Sequence, residues 1–175
     1  MKNDGVLIRP RLDSDIPQTA AGLVRVHARD GYPVEGVSQP AAWLTPHGLI
    51  NAWVAVKSEI IIGHVAITRP TDEWAVLLWI EQSGEDTGRV AVLARLFVVP
   101  EARSMAVGEG LMRAAVDYAH SQGIRLVLDV LAKDTAAIRL YTRLGWKNIG
   151  SAVHPYGVGQ QAKAFCFVAP PSEQL

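Results

Sequence analysis

Short apolar runs alternate along the chain with apolar stripes at helical spacing, and turn residues separate the two kinds. Val6–Ile8, before Arg9-Pro10, reads as a first strand. Ala20, Leu23, Val24 and His27 then recur close to i, i+3, i+4 and i+7, the face of one helix, with Asp13 or Ser14 as its cap and Pro17 in its first turn. Asp30-Gly31-Tyr32-Pro33 stops that helix, and Gln39–Leu44 reads as a short second one. Ala52–Val56 and Ile60–Thr68, joined by Lys57-Ser58-Glu59, predict a hairpin. Glu73–Gln82 fits a strand or a helix. Its length favours a helix, with Asp72 as cap and Trp74, Leu77 and Leu78 on one face.

Val90–Val99 is a long apolar strand closed by Pro100. Glu101–Gly110 reads as a loop of small residues, followed by a helix with Leu111, Met112, Ala115, Val116 and Ala119 on one face and Gly123 beyond its end. Ile124–Leu131 is apolar almost throughout, as in a strand buried on both faces. Asp134 or Thr135 caps a helix whose face is Ala137, Leu140, Tyr141 and Leu144. Trp146–Ser151 and Ala162–Ala169 close the chain as strands joined by His154–Gln161. This order predicts an α/β fold: a single mixed, mostly antiparallel sheet with helices on both faces, with residues 1–175 as one domain.

Composition narrows the classes. At 49% apolar and 19% charged residues the chain is globular, not disordered or collagen-like. Its one cysteine, Cys166, excludes an internal disulfide and a cysteine-based zinc framework, so a reducing compartment and no metal are expected. Met1–Pro10 carries no apolar signal core and no run nears a membrane-spanning length; a cytoplasmic location with no membrane partner is expected. The formal net charge of +0 argues against a nucleic-acid partner. The charge is uneven, however. Arg89–Lys147 holds nine basic and five acidic residues, which leaves the remainder acidic. That division suits an anionic ligand in one part and a cation in the other; chance scatter is the plainer explanation.

The stretch Leu96–Met112 runs from a strand through small residues into a helix N-terminus, where unpaired N–H groups and the helix dipole favour an anion. Arg103 adds a charged donor. A pyrophosphate cradle is one reading, and an ordinary strand–helix turn is the other. A Rossmann fingerprint fails at Arg113, and the Gly-Lys-Ser/Thr of a P-loop is absent.

Two blocks resemble the GCN5-related N-acetyltransferase (GNAT) superfamily. The acyl-CoA motif, Arg/Gln-x-x-Gly-x-Gly/Ala after a strand ending Val-x-Pro, reads Arg103-Ser104-Met105-Ala106-Val107-Gly108 after Val98-Val99-Pro100, with Ala106 for the first glycine. The second block reads Asp134 to Trp146, with Asp134 for the usual Asn and Trp146 for the usual Phe. Gly63-His64-Val65-Ala66 resembles the family's third strand. The resemblance implies acetyl-CoA, or another short acyl-CoA, as cofactor. It implies a cofactor site of Phe97, Val98, Val99, Arg103, Ser104, Met105, Ala106, Val107, Gly108, Glu109, Gly110, Asp134 and Ala137. It implies strands parting near Phe97–Val99, with the Val98 N–H as oxyanion donor. Tyr141 takes the family's acid position, protonating the leaving thiolate; its plainer role is packing on Ala137.

No general base is evident. The position where relatives carry Glu is Val92, and Glu81, His64, His154 or water remain; His64 in an apolar strand is more often a core histidine. Cys166 reads as a small buried hydrophobe. By the resemblance, the acceptor enters over Arg29–Trp43 and Ser151–Gln161, and Tyr32, Glu35 and Trp43 form an aromatic, acidic rim suited to a cationic amine, whether a small molecule or a peptide. The expected activity is N-acetyl transfer to a primary amine through a ternary complex, with a homodimer left open. A non-catalytic acyl-CoA-binding module, or a nucleotide-binding protein of another fold, would be the alternatives.

Overall fold

The structure, a computed structural model, describes residues 5–172. Its elements follow the predicted order and form a seven-stranded mixed sheet with helices. The chain folds as two compact units. One holds the described chain up to Thr68 together with Ala94–Ala115; the other holds Arg69–Leu93 and the chain from Val116 on.

The first unit contains β1 (Val6–Pro10), α1 (Ile16–Asp30), α2 (Pro40–Leu44), β2 (Leu49–Lys57), β3 (Ile60–Thr68), the last residues of β4 (Val90–Val98) and the first half of α4 (Val107–Ser121). Its strand order is β1-β2-β3-β4. The β2–β3 hairpin turns through Ser58 (φ 49°) and Glu59 (φ 66°); positive φ at both central residues matches the twist of the strands. The cap of α1 is Asp15 rather than Asp13 or Ser14, because a further tight turn, Asp13–Asp15, precedes the helix. Both oxygens of Asp15 take Arg9 at 2.7 and 2.8 Å, and one also takes the Leu12 N–H at 2.7 Å. The helix buries Ala20, Leu23 and Val26 with Leu44 and Phe97. Val24 is exposed instead of buried, because the buried stripe runs through Thr19, Leu23 and Val26.

The second unit contains α3 (Trp74–Ser83), the start of β4, the rest of α4, β5 (Arg125–Leu131), α5 (Thr135–Arg143), β6 (Lys147–Gly157) and β7 (Gln160–Val168), in strand order β4-β5-β7-β6. The parallel β4–β5 ladder spans three pairs, Val90↔Arg125 to Val92↔Val127, and so ends earlier than the expected parting at Phe97–Val99. Asp72 does not cap α3. The Asp129 carboxylate of β5 accepts the Ala75 N–H at 2.9 Å and does that work from 54 positions away. The buried face of α3 is Ala75 and Val76, whereas Trp74 and Leu77 are about half exposed. A helix apolar nearly all round cannot announce its face, and the small residues let it approach β5 closely. His154–Gln161 is not a loop: β6 and β7 continue pairing to Gly157↔Gln160.

Two residues of β3 set the local frame around β4. A Cβ on Gly63 would lie 2.9 Å from Leu111 Cδ1, 3.0 Å from Val107 Cγ1 and 3.2 Å from the Phe97 carbonyl, so glycine lets the start of α4 pack on the strand. His64 is fully buried and stacks on Phe97 at 5.6 Å. In mid-strand, Arg95 adopts φ 58°, a left-handed conformation that costs a non-glycine residue on the order of 1–2 kcal/mol. His64 Nδ1 lies 2.9 Å from the Arg95 carbonyl, and its Nε2 lies 2.9 Å from Arg11 Nη1, which also donates to the Leu44 carbonyl at 2.7 Å. Arginine only donates, so Nε2 accepts and Nδ1 carries the proton: His64 is neutral. Burial pushes its pKa down to about 4, against the bond to the Arg95 carbonyl and with help from the Arg11 and Arg95 charges. With both nitrogens engaged, His64 is removed from the candidate bases.

Gly63→Ala should therefore lower unfolding free energy by about 1–3 kcal/mol through overpacking, read as a lower urea midpoint with an unchanged slope. His64 predicts a pH dependence. Its unfolded pKa is 6.5 and its folded value lies below that, so its neutral form stabilises the fold fully above 6.5 and the contribution drains away as pH falls toward about 4. The loss should be on the order of 3 kcal/mol. The difference in urea midpoint between about pH 7 and about pH 4.5 should shrink in His64→Gln. An equal difference in both proteins would show that His64 does not titrate in this way.

Candidate active site

The end of β4 presents backbone rather than side chains. The Val99 N–H donates to the Ile62 carbonyl of β3 at 2.9 Å. Because strand N–H groups alternate in direction, the Val98 N–H and carbonyl turn to the opposite edge. The Val98 carbonyl accepts Arg103 Nε at 3.3 Å and Nη2 at 3.2 Å, and the same Nη2 meets Asp30 at 2.5 Å. The Arg103 guanidinium is thus engaged with Asp30 and the Val98 carbonyl, and does not stand open as a free phosphate donor.

After Pro100–Ala102, Ser104 (φ 72°) and Ala106 (φ 57°) both take left-handed backbone conformations. Ala106 therefore holds the geometry that glycine would give without steric cost, which is how a loop with a methyl group there still turns into the helix. The Gly110 N–H bonds the Ala106 carbonyl at 3.1 Å, so the helical ladder has already begun there. Gly108, Glu109 and Gly110 lie in the first turn of α4 and not in a loop, because burial of Val107 and Leu111 against Gly63 carries the helix back to Val107. The Val107 and Gly108 N–H groups stand where the helix supplies no acceptor, at its positive end. This backbone fits an anionic pyrophosphate, with Ser104, Met105 and Ala106 as the approach. Glu109 is tied to Arg113 at 2.8 Å one turn on.

An aromatic group gathers within the first unit. Tyr32 meets Trp43 edge-on at 5.9 Å, Trp43 meets Phe97 at 6.2 Å, and the Arg95 guanidinium lies 4.6 Å over the Trp43 ring. Two of the three acceptor residues expected from sequence, Tyr32 and Trp43, thus come together with Phe97, while Glu35 is exposed. Arg95 joins this group, and its sequence signal is an arginine in mid-run of an otherwise apolar strand.

In the second unit Tyr141 is buried against Phe167 at 5.9 Å and Trp146 at 6.0 Å. Burial, then the Asp134 charge, raise its pKa, so the phenol keeps its proton. Asp134 stands at the start of α5, and Ala137 lies one turn before Tyr141 on the same helix. Cys166 Sγ lies 3.4 Å from Asp129 Oδ1, and burial followed by the Asp129 charge pushes the thiol up to about 12; it has no part as a nucleophile. His154 lies in the β6–β7 hairpin. Among the described residues no group of His, Cys, Asp or Glu could hold a metal ion, and no helix is long and apolar enough to cross a membrane.

The chain resembles several solved acetyltransferases in fold. An N-acetyltransferase of Staphylococcus aureus superposes with a TM-score of 0.71 at 14% identity, over 93% of this chain and 96% of that one. Arabidopsis thaliana NAA60, in complex with acetyl-CoA, gives 0.70 at 21% identity, over 93% and 97%. The yncA protein of Salmonella typhimurium, with its cofactor acetyl-CoA, gives 0.71 at 14% identity, over 97% and 96%. None of the curated proteins matches it in sequence. The Acetyltransferase (GNAT) family matches residues 21–146, which include the β4–α4 turn and α5, and the chain belongs to that family of enzymes.

Proposed function

We propose that this acetyltransferase moves the acetyl group directly from acetyl-CoA to a primary amine within a ternary complex. The observation that carries the reading is the Val98 backbone, turned away from β3 at the end of a strand whose next residue, Val99, is bonded to Ile62. A preorganised N–H there can donate to an oxygen that gains negative charge, with no reorganisation during the reaction.

Acetyl-CoA supplies the thioester when bound. The backbone of Phe97, Val98 and Val99 would hold its pantetheine arm, and residues 103–110 its pyrophosphate, with Asp134 and Ala137 also in contact with the cofactor. The Arg103 side chain, paired with Asp30, fixes the Val98 carbonyl at the edge of that site. Tyr141 holds a proton at Oη that it would supply to the departing sulfur. A phenol whose burial favours the protonated form can act as an acid but not as a resting base. Tyr32, Glu35 and Trp43 would receive the acceptor. The amine reaches the site neutral, through Glu81, His154 or water, or by selective binding of its neutral form.

Tyr141→Phe keeps the packing against Trp146 and Phe167 and removes only the O–H. kcat should fall by roughly 10²-fold while the dissociation constant for acetyl-CoA stays within a factor of about two. An unchanged kcat would return Tyr141 to a packing role. Gly108→Val places a branched side chain in the first turn of α4; calorimetric titration should show acetyl-CoA bound at least about tenfold more weakly, with thermal unfolding little changed. Equal affinity would take the α4 N-terminus out of the cofactor site.

A further inference from the structure

The charges around the aromatic group point to a property of the acceptor. Arg95 lies over Trp43 at 4.6 Å, and its Nε is buried with no hydrogen-bond partner; the Trp43 Nε1 is buried and unpartnered too. A buried donor left unpaired is unfavourable, and two in one stacked pair suit a ligand that accepts from them. The ion pairs among the described residues engage Arg9, Arg25, Arg103 and Arg113, and include neither Arg95 nor Arg11. Arg11, partly buried, spends Nη1 on His64 and the Leu44 carbonyl, with Asp13 and Asp15 acting on it only through space. His64 feels Arg11 and Arg95 as two positive charges. Asp30 is paired with Arg103. Arg95 thus places positive charge against the aromatic group, with Arg11 on the other nitrogen of His64.

We propose that Arg95, held flat on Trp43, binds a carboxylate of the acceptor, so that the substrates are amines that also carry a carboxylate. Guanidinium offers a planar fork that matches carboxylate geometry, and its stacking on Trp43 fixes that fork before the ligand arrives. The Trp43 N–H supplies a neutral donor nearby. This rests on the acyl-transfer reading for the identity of the acceptor, but carboxylate binding itself can be measured without turnover.

The test uses the whole chain and the twenty L-α-amino acids, each paired with its C-terminal amide. Short peptides with an acidic second residue form a further arm. Binding is followed by tryptophan fluorescence and calorimetry, with and without CoA. At least one free acid should bind about tenfold or more tighter than its amide. Arg95→Gln should remove that preference and leave amide affinity and acetyl-CoA affinity within a factor of about two. Trp43→Phe, which keeps a ring under Arg95 but removes the N–H, should lower acid affinity by a smaller factor. Tight binding of acidic peptides with weak binding of free amino acids would assign the carboxylate to a peptide side chain and sustain the proposal. Equal affinity for acids and amides in the wild type, or an equal loss of both in Arg95→Gln, would overturn it. Failure to bind acetyl-CoA would overturn the transfer reading instead and leave the carboxylate result standing.

Discussion

The contact on which the first unit most depends is the bond from His64 to the carbonyl of Arg95. A left-handed arginine in mid-strand is unfavourable, and it persists only where its surroundings hold it. Here a fully buried imidazole does so, with its own orientation set by Arg11 on the other nitrogen. The ring also stacks on Phe97, one residue before Val98. A single neutral histidine thus ties together β1's outgoing arginine, the kink of β4 and the aromatic group. If the ring were charged, both nitrogens would be donors, and Arg11 would keep only the Leu44 carbonyl as acceptor.

Arg11 and Arg95, around that contact, differ from the four arginines that pair with carboxylates. Arg9, Arg25, Arg103 and Arg113 sit in ion pairs with carboxylates. The pair of Arg25 is well exposed and contributes little stability, whereas Arg103 also fixes the Val98 carbonyl. Arg11 and Arg95 are bonded or stacked without such neutralisation, an arrangement that costs folding energy. Structures tolerate that cost where a ligand recovers it.

Much of the fold was legible because period-2 and period-3.6 patterns reflect burial directly. The β2–β3 hairpin, the α4 stripe and the α5 stripe with Tyr141 all follow from spacing. What was not legible depends on partners remote in sequence. Asp129 caps α3 from β5, so no local residue announces the cap. The start of α4 at Val107 follows from packing on Gly63, not from the glycines in its own first turn, which read locally as loop. Two separated blocks made the family recognisable. The positive φ of Arg95 has no signature in residue type.

One consequence concerns the enzyme's only cysteine. Cys166 has no exposed surface, its S–H points to Asp129, and its thiol stays protonated well beyond neutrality. Thiol-reactive chromogens and alkylating reagents act on accessible thiolate, and the folded enzyme offers them none. Colour developed during turnover would report liberated coenzyme alone, against a protein that is chemically silent to the reagent. The same silence means that aerobic handling leaves the native enzyme free of cross-linked dimers, so its assembly state can be weighed without reductant.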